Sequence, residues 1–257
     1  MYCVIMAGGS GKRFWPRSRK EKPKQFLTIN DNTSLIQSTI ERSKLFASDK
    51  QIYIVSNENQ QDELKKHDST IPEQNFIFEP MGKNTAPCIS LAAIHIKKRN
   101  PESVMIVMPA DHLINNNKLF KKTILAGGQV AKDKKGLVTV GITPDRPATG
   151  YGYIQRDNKV KTISCIKGFK VKTFAEKPDQ RTAQCFLDSG DFYWNSGIFM
   201  FKVSVFLETL EENMPDLYDS LMKLEKHMGK KDYKSALERI YKQIKKESID
   251  YGVMEKS

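Results

Sequence analysis

The sequence predicts an α/β fold in which a mixed, mostly parallel central sheet is flanked by helices. The first supporting observation is that short apolar runs of strand length alternate with longer stretches of helical pattern. Strands and helices that alternate in this way form right-handed βαβ units with parallel strands. The second is the chain's size and composition: its 257 residues are 39% hydrophobic, enough for one large packed domain.

The alternation is clearest in the first half of the chain. The apolar runs predicted as buried strands are Tyr2–Met6, Ile52–Val55, Phe76–Phe78, Val104–Met108 and Leu137–Val140. The helices predicted between them are Ser34–Phe46, Asn59–His67, Thr85–Arg99 and Lys118–Lys132. Ser34 and Gln37 have the spacing of a capping box, and Asn84 and Thr85 are candidate caps for the third of these helices.

Beyond about residue 145 the pattern changes. Further strands are predicted at Tyr151–Gln155, Phe169–Phe174 and Ile198–Phe201. They are followed by helices predicted at Val203–Glu212, Pro215–His227 and Lys230–Lys246, and the last residues, 249–257, have the pattern of a further helix. We interpret residues 1–257 as one domain.

Composition and charge exclude several classes of protein. No apolar run approaches the ~20 residues that cross a bilayer, and Met1–Ala7 is too short for a signal peptide, so we expect a cytoplasmic protein without a membrane partner. The net charge of +12 raises nucleic acid as a partner. However, the lysines are spread along the chain, often beside glutamates as in Lys223–Lys231, which favours a solvated surface and no nucleic acid. The four cysteines are far apart and are expected to be reduced and mostly buried.

A glycine-rich segment, AGGSGKR at residues 7–13, follows the first predicted strand. Its glycines let the backbone turn so that several N–H groups point at one anion. Arg13 adds a permanently charged, bidentate phosphate ligand. The spacing matches neither the dinucleotide fingerprint nor the P-loop, and a plain turn is the alternative interpretation.

Lys24 and Asp111 are candidates for phosphate and metal binding. Lys24 follows Pro23 shortly after the glycine-rich segment, although an ordinary surface lysine is the simpler interpretation. Asp111 follows a fully apolar strand, and ligands of open α/β sheets bind beyond the carboxyl ends of strands. A carboxylate beside a triphosphate suits Mg²⁺, while a turn or helix-capping aspartate is an equal alternative. We expect His112 to pack or orient its neighbours rather than bind metal.

Motifs in the second half carry groups suited to a sugar phosphate. Gly150 and Gly152 flank an aromatic residue and can bring bare backbone to a sugar ring, unless they mark a β-bulge. Glu176 can accept hydrogen bonds from sugar hydroxyls and Lys177 can neutralise a phosphate, with an exposed ion pair as the alternative. Asn195 offers both a donor and an acceptor.

In order and spacing, these motifs resemble the mannose-1-phosphate guanylyltransferases, a branch of the sugar-nucleotide pyrophosphorylases. The resemblance runs from Tyr2 to the end of the chain and includes AGGSGKRFWP, PKQF, EPMGKNTAP, PADH, GYGYI, EKP, WNSG and SIDYGVMEK. The first string is typical of the pyrophosphorylases broadly, whereas the EP-x-x-x-NTAP, PADH and WNSG strings point to the GDP-mannose branch. The implied fold is a Rossmann-like nucleotidyltransferase domain.

The resemblance also implies a role for each motif. The implied catalytic residues are Arg13, Lys24, Asp111 and Lys177, with Asp111 as the Mg²⁺ ligand. The implied nucleotide-binding residues are Ala7, Gly8, Gly9, Ser10, Gly11, Arg13, Pro80, Asn84 and Thr85. The implied sugar-binding residues are Gly152, Glu176, Lys177 and Asn195.

The reaction implied by the resemblance is an in-line displacement at phosphorus. A phosphate oxygen of mannose 1-phosphate attacks the α-phosphorus of GTP, which gives GDP-mannose and pyrophosphate. The attacking group is already an anion, so catalysis depends on positioning and on charge neutralisation. The expected partners are therefore GTP, mannose 1-phosphate, GDP-mannose and pyrophosphate, with Mg²⁺ as cofactor and a homodimer left open.

The chain departs from the family pattern at its C-terminal end. Members usually continue with another strand and a downstream aspartate that supplies a second metal ligand, and often with a left-handed β-helix. Because this sequence stops before both, we expect a truncated chain whose activity is open. The alternatives are a transferase for another sugar 1-phosphate or base, and a non-catalytic nucleotide-sugar-binding paralogue that regulates a partner. A nucleic-acid-binding module is a distant third.

Overall fold

A computed structural model describes residues 1–9, 18, 23–30, 33–67, 70–133, 136–163 and 165–257. The strands in this part of the chain are β1 (Tyr2–Met6), β2 (Thr28–Asn30), β3 (Thr33–Ser34), β4 (Ile52–Asn57), β5 (Phe76–Glu79), β6 (Val104–Pro109), β7 (Val138–Ile142), β8 (Gly152–Ile163), β9 (Ile166–Glu176) and β10 (Phe192–Lys202). The helices are α1 (Leu35–Ser43), α2 (Gln61–His67), α3 (Thr85–Lys97), α4 (Asn117–Asp133), α5 (Gln180–Ser189), α6 (Val203–Asn213), α7 (Pro215–Glu225), α8 (Tyr233–Gln243) and α9 (Ile249–Gly252).

The main sheet has strand order β5-β4-β1-β6-β10-β8-β9, with β7 also paired to β10. Strands β5, β4, β1 and β6 pair in parallel. Strand β10 runs antiparallel to β6, and β7 and β8 each run antiparallel to β10. Among the described strands of this sheet, all except β9 and β10 therefore point in one direction. The predicted mixed, mostly parallel sheet is confirmed.

Two apolar cores cover the faces of the parallel strands, and β6 shows how the sequence fills both. Met105 and Val107 pack on one face with helices α3, α6, α7, α8 and α9, whereas Ile106 and Met108 pack on the other with α1, α2 and α4. Side chains alternate between the faces of a strand, so a strand covered on both sides is apolar throughout. This is why the runs in the first half were recognisable as buried strands.

Local signals fix the helix starts. The capping box predicted for α1 is present, since Ser34 accepts from the Gln37 N–H and the Gln37 side chain accepts from the Ser34 N–H. Asn84 caps α3 as predicted, and its Oδ1 accepts from the Thr85 N–H at 2.9 Å.

The predicted elements differ from the structure mainly after residue 145. Strand β10 begins at Phe192 rather than Ile198. Strands β8 and β9 form one long hairpin, and the charged residues in its sequence kept its full length from being predicted. Helix α5 was missed because only Ala183 of it is buried. Its ends did carry signals: Asp179 caps it and Gly190 follows it at φ 71°. The terminal segment forms the short helix α9 and a 3₁₀ turn instead of a longer helix.

All four cysteines are free thiols, as predicted. The expectation that most are buried was wrong: Cys3 and Cys88 are buried, whereas Cys165 and Cys185 are exposed in the polar hairpin turn and on α5. Helices long and apolar enough to cross a membrane are absent from the described ranges.

Candidate active site

Strands β1 and β6 end side by side at the carboxyl edge of the parallel sheet. The Ala7 N–H donates to the Val55 carbonyl at 2.7 Å, and the Ala110 N–H donates to the Met6 carbonyl at 3.0 Å. These bonds extend the strand pairing by one residue beyond β1 and β6. Gly8 and Asp111 therefore leave the sheet at neighbouring points, where open α/β sheets bind ligands.

Lys24 and Asp111 form an ion pair at this edge, with 2.9 Å between Nζ and Oδ2. Both side chains are partly exposed, at 22% and 37%. The turn that carries Lys24 is held in place by the buried Gln25, whose amide donates to the Ala7 carbonyl at 2.6 Å and to Gln60 at 2.9 Å. The structure thus brings together the lysine and the aspartate that the sequence assigned to phosphate and metal.

Residues 10–13 of the glycine-rich segment, which include the predicted Ser10, Gly11 and Arg13, lie outside the described residues. Its beginning is described: Ala7 is buried, Gly8 is half-buried and Gly9 is exposed. The Gly8 carbonyl accepts from Asn57 Nδ2 at 2.6 Å.

A buried acid, Glu79, lies behind this segment. It is 3% exposed and accepts a hydrogen bond from the Tyr241 hydroxyl at 3.1 Å. Burial raises the pKa of Glu79 to about 7, and the bonds from Tyr241 and Cys88 oppose this shift. Sequence reasoning gave Glu79 no role, although it begins the EPMGKNTAP string.

The segment from Pro80 to Thr85 reaches the same region, and its polar side chains are already engaged. Asn84 has φ 74° and ψ −168°, a conformation that costs a non-glycine residue about 1–3 kcal/mol and that is concentrated at functional sites. The Thr85 Oγ1 accepts from the Ile249 N–H at 2.9 Å. Pro80 is half-buried and Asn84 is exposed, so both remain accessible in part.

The predicted sugar-binding residues also lie together. Gly152 and Glu176 are paired across β8 and β9. Glu176 and Lys177 form an ion pair. The Lys177 backbone, at φ 49°, donates from its N–H to the Tyr151 carbonyl at 3.2 Å. A Cβ on Gly152 would collide with Glu176 Oε2, so a larger residue there would force this carboxylate to turn away from its present position.

Asn195 stands at a β-bulge in β10, where the pairing with β7 shifts register and Gly197 adopts φ 69°. Its Oδ1 accepts from the Gly197 N–H at 3.0 Å and from the Thr139 hydroxyl at 3.3 Å. Its Nδ2 donates to Asp250 Oδ1 at 2.6 Å. Within the described part of the chain, one amide N–H of Asn195 is left to donate elsewhere.

Asp250 is the residue of this cluster that sequence reasoning missed. It lies in the SIDYGVMEK string, which contributed to the resemblance without a residue role. Burial raises the pKa of Asp250, the bond from Asn195 lowers it, and the charge of Glu176 raises it. A cap signal at Ser248, which accepts from the Tyr251 N–H, marks the helix start but not the long-range contact.

The two groups of residues adjoin where β6 and β10 pair. A Cβ on Gly197 would lie 3.6 Å from Pro109 Cγ, and Pro109 is two residues before Asp111. His112 is half-buried beside them. Burial lowers the pKa of His112 and the charge of Asp111 opposes that shift, which favours the neutral imidazole. Clusters of three or more metal-ligating side chains are not found among the described residues.

Comparison with known proteins shows the family to which the chain belongs. A nucleotidyl transferase family model matches residues 2–240. The chain is 39% identical to mannose-1-phosphate guanylyltransferase of Klebsiella pneumoniae over 99% of its own length and 54% of the relative's. It is 41% identical to the enzyme of that name from Salmonella montevideo, with 99% and 54% covered. It thus spans about half the length of these curated relatives.

A solved structure shows the same fold. It is that of a Thermus thermophilus protein named as a mannose-1-phosphate geranyltransferase, which superposes with a TM-score of 0.89 at 28% identity. The match covers 99% of this chain and 71% of that one. Together with the family match over residues 2–240, this shows that the chain belongs to the nucleotidyl transferase family.

Proposed function

We propose that the chain transfers a guanylyl group from GTP to mannose 1-phosphate, which gives GDP-mannose and pyrophosphate. The observation that carries the proposal is that two complementary groups adjoin at the β6–β10 pairing. One contains Gly8, Lys24 and Asp111, and suits a nucleoside triphosphate. The other contains Glu176 and Asn195, and suits a sugar phosphate. The names of the curated relatives support this choice of substrates.

The Lys24–Asp111 ion pair suits a triphosphate that arrives with a divalent cation. In the pair each charge neutralises the other across 2.9 Å. A phosphate oxygen can replace the carboxylate as the partner of Lys24, which frees Asp111 to hold a cation. A lone accessible carboxylate fits Mg²⁺, because this ion takes one or two carboxylates and completes its shell with phosphate oxygens and water. When bound, Mg²⁺ would neutralise negative charge on the phosphates and on the leaving pyrophosphate.

The sugar phosphate is held by the second group. Lys177 is 58% exposed at its side chain and can pair with the phosphate. Glu176 can accept from sugar hydroxyls, and the remaining N–H of Asn195 can donate to one. Because the sugar phosphate is ionised, the site needs no general base and acts by holding two anions in line.

The transfer step is a displacement at the α-phosphorus. A bond forms between an oxygen of mannose 1-phosphate and this phosphorus. The bond from the phosphorus to the oxygen that bridges to the β-phosphate breaks, and its electron pair leaves with pyrophosphate. Lys24 and Arg13 neutralise the negative charge that develops on the phosphate oxygens during this displacement.

The test is pyrophosphate release by the purified chain with Mg²⁺, across a panel of nucleoside triphosphates and sugar 1-phosphates. We expect the highest kcat/KM for GTP with mannose 1-phosphate. Release with no pair of substrates, or a clear preference for another pair, would overturn the proposal.

A lysine variant tests the assigned charge. We expect Lys24→Met to lower kcat by about 10²–10³-fold, the usual loss when one stabilising donor is removed. Lys44→Met is the matched control, because Lys44 forms a surface ion pair with Glu41 on the neighbouring turn. An equal loss of kcat in both variants would show that it follows from removing any lysine charge rather than from the position of Lys24.

A further inference from the structure

We propose that Asp250 is a positioning residue for sugar recognition, which holds the Asn195 amide so that its remaining N–H faces the sugar phosphate. This inference rests on the proposed function, because it assumes that Asn195 meets the sugar. The family motifs pointed to Asn195 itself. The contact that orients it comes from α9, far along the chain, with 2.6 Å between Asn195 Nδ2 and Asp250 Oδ1.

The hydrogen bonds of Asn195 determine how its amide is turned. On one side is the Gly197 N–H, which can only donate and so requires the amide oxygen, whereas the Thr139 hydroxyl beside it can donate or accept and fits either orientation. On the other side is the Asp250 carboxylate, which when ionised can only accept and so requires the NH₂ group. A flipped amide would place oxygen against carboxylate and NH₂ against N–H. Asp250 therefore fixes the donor side of Asn195 by its chemistry as well as by its distance.

Asp250 also interacts electrostatically with the predicted sugar-binding residues. The charges of Glu176 and Lys177 act on its carboxyl in opposite directions, and Glu255 on the following turn interacts with both Asp250 and Glu176. Burial raises the pKa of Asp250, and the Asn195 bond is the main effect that lowers it. The carboxylate is thus stabilised by the amide that it orients.

The backbone around Asp250 is anchored to the segment assigned to the nucleotide. The Ile249 N–H donates to Thr85 Oγ1 at 2.9 Å, and the Glu247 N–H donates to the Lys83 carbonyl at 3.1 Å. The Ala86 N–H in turn donates to the Glu247 carbonyl at 3.1 Å. These hydrogen bonds fix the backbone next to Asp250 to the start of α3, and the Asp250 side chain in turn contacts the bulge of β10. Such fixed support is what lets a binding group act without reorganising.

The experiment measures KM for each substrate separately in the full chain. We expect Asp250→Ala to raise KM for mannose 1-phosphate by about tenfold, the scale set by losing a hydrogen bond to a charged group. KM for GTP should stay within about twofold of wild type. Asp250→Asn keeps an oxygen that can accept from Asn195, so it should recover most of the affinity. Tyr251→Ala is the matched control, because Tyr251 is exposed on the same short helix.

A double-mutant cycle decides whether Asp250 acts through Asn195. In an Asn195→Ala background, Asp250→Ala should raise KM for mannose 1-phosphate no further. Full additivity, or an equal change in both KM values, would overturn the inference. Asp250→Ser, whose side chain is too short to reach the amide, should behave like Asp250→Ala and serves if the alanine variant does not fold. Wild-type pyrophosphate release separates the two proposals: its absence contradicts the function, whereas unaltered KM values in the Asp250 variants contradict only the positioning role.

Discussion

At the scale of single residues, the site is built from side chains that protein hydrogen bonds hold before any substrate arrives. Asn195 has three bonds to the protein, and Thr85 supports the backbone at Ile249. Lys24 is paired with Asp111. Groups fixed in this way need little reorganisation when charge develops in a reaction, which is the usual source of electrostatic catalysis.

A substitution at Gly152 directly tests the proposed role of the neighbouring Glu176 in sugar binding. We expect Gly152→Ala to raise KM for mannose 1-phosphate by about tenfold or more, because the added Cβ must displace Glu176 Oε2. The scale is that of a lost hydrogen bond to a charged group. KM for GTP should change little, and steady-state kinetics with each substrate varied would show both values.

The matched control is Gly150→Ala, since a Cβ there meets nothing within 4 Å among the described residues. We expect its kinetics to equal those of wild type. If Gly152→Ala had unaltered KM for the sugar phosphate, Glu176 would not be a sugar ligand.

Glu79 predicts a dependence of stability on pH. Its pKa is raised by burial to about 7 from an ordinary value of 4.5, so the folded protein binds the proton more tightly than the unfolded chain does. Glu79 therefore lowers the free energy of unfolding as pH rises from about 4.5 to about 7. Above about pH 7 this loss of stability stays constant. At about 1.4 kcal/mol per pKa unit, this loss is on the order of 3 kcal/mol.

Urea unfolding of wild type and Glu79→Gln across this pH range would measure the effect. The glutamine keeps the shape and can accept from Tyr241 but does not titrate, so its stability relative to wild type should grow with pH. Other titrating groups, such as the half-buried His95, cancel in this difference. Glu208→Gln, on the exposed side of α6, should show no such trend. Parallel pH curves for wild type and Glu79→Gln would contradict the assignment.

At the scale of elements, the parallel half of the sheet was predictable and the antiparallel half much less so. Strands β1, β4 and β6 are covered on both faces, so they appear in the sequence as unbroken apolar runs. The start of β10 carries Asn195 and Ser196 at a bulge, which breaks the apolar pattern. The hairpin of β8 and β9 carries charged residues, and β9 is only partly buried, so its strands were predicted too short.

The hydrogen bond between Thr85 and Ile249 at the start of α9 predicts a specific change in amide hydrogen exchange. Thr85→Val removes the oxygen that accepts from the Ile249 N–H, and Ile249 is fully buried. An unsatisfied buried donor costs about 1–3 kcal/mol. We expect faster amide exchange across residues 247–253 and a higher KM for mannose 1-phosphate, because Asp250 loses its support.

The conservative variant Thr85→Ser retains the hydroxyl and should keep the Ile249 amide protected. Exchange measured by mass spectrometry on peptides that cover α9 would separate the two variants. Equal exchange in Thr85→Val and Thr85→Ser would show that the hydroxyl does not anchor this helix.

At the scale of the whole molecule, distant sequence motifs meet at one edge of the sheet. The rule for carboxyl ends of parallel strands explains why Gly8 and Asp111 are neighbours. The bonds from Asn195 to Asp250 and from Thr85 to Ile249 could not be predicted in the same way. The first bond joins residues that are 55 positions apart in the sequence, and the second joins residues that are 164 positions apart. Both depend on how the last helices pack, which no local pattern encodes.

The fate of oxygen atoms tests the central claim most directly. The chain would be incubated with GTP, Mg²⁺ and mannose 1-phosphate labelled with oxygen-18 at the terminal phosphate oxygens, and the products analysed by mass spectrometry. Attack of the sugar phosphate on the α-phosphorus predicts that all of the label is retained in GDP-mannose and that pyrophosphate is unlabelled. Label in pyrophosphate, or no GDP-mannose at all, would contradict guanylyl transfer at this site.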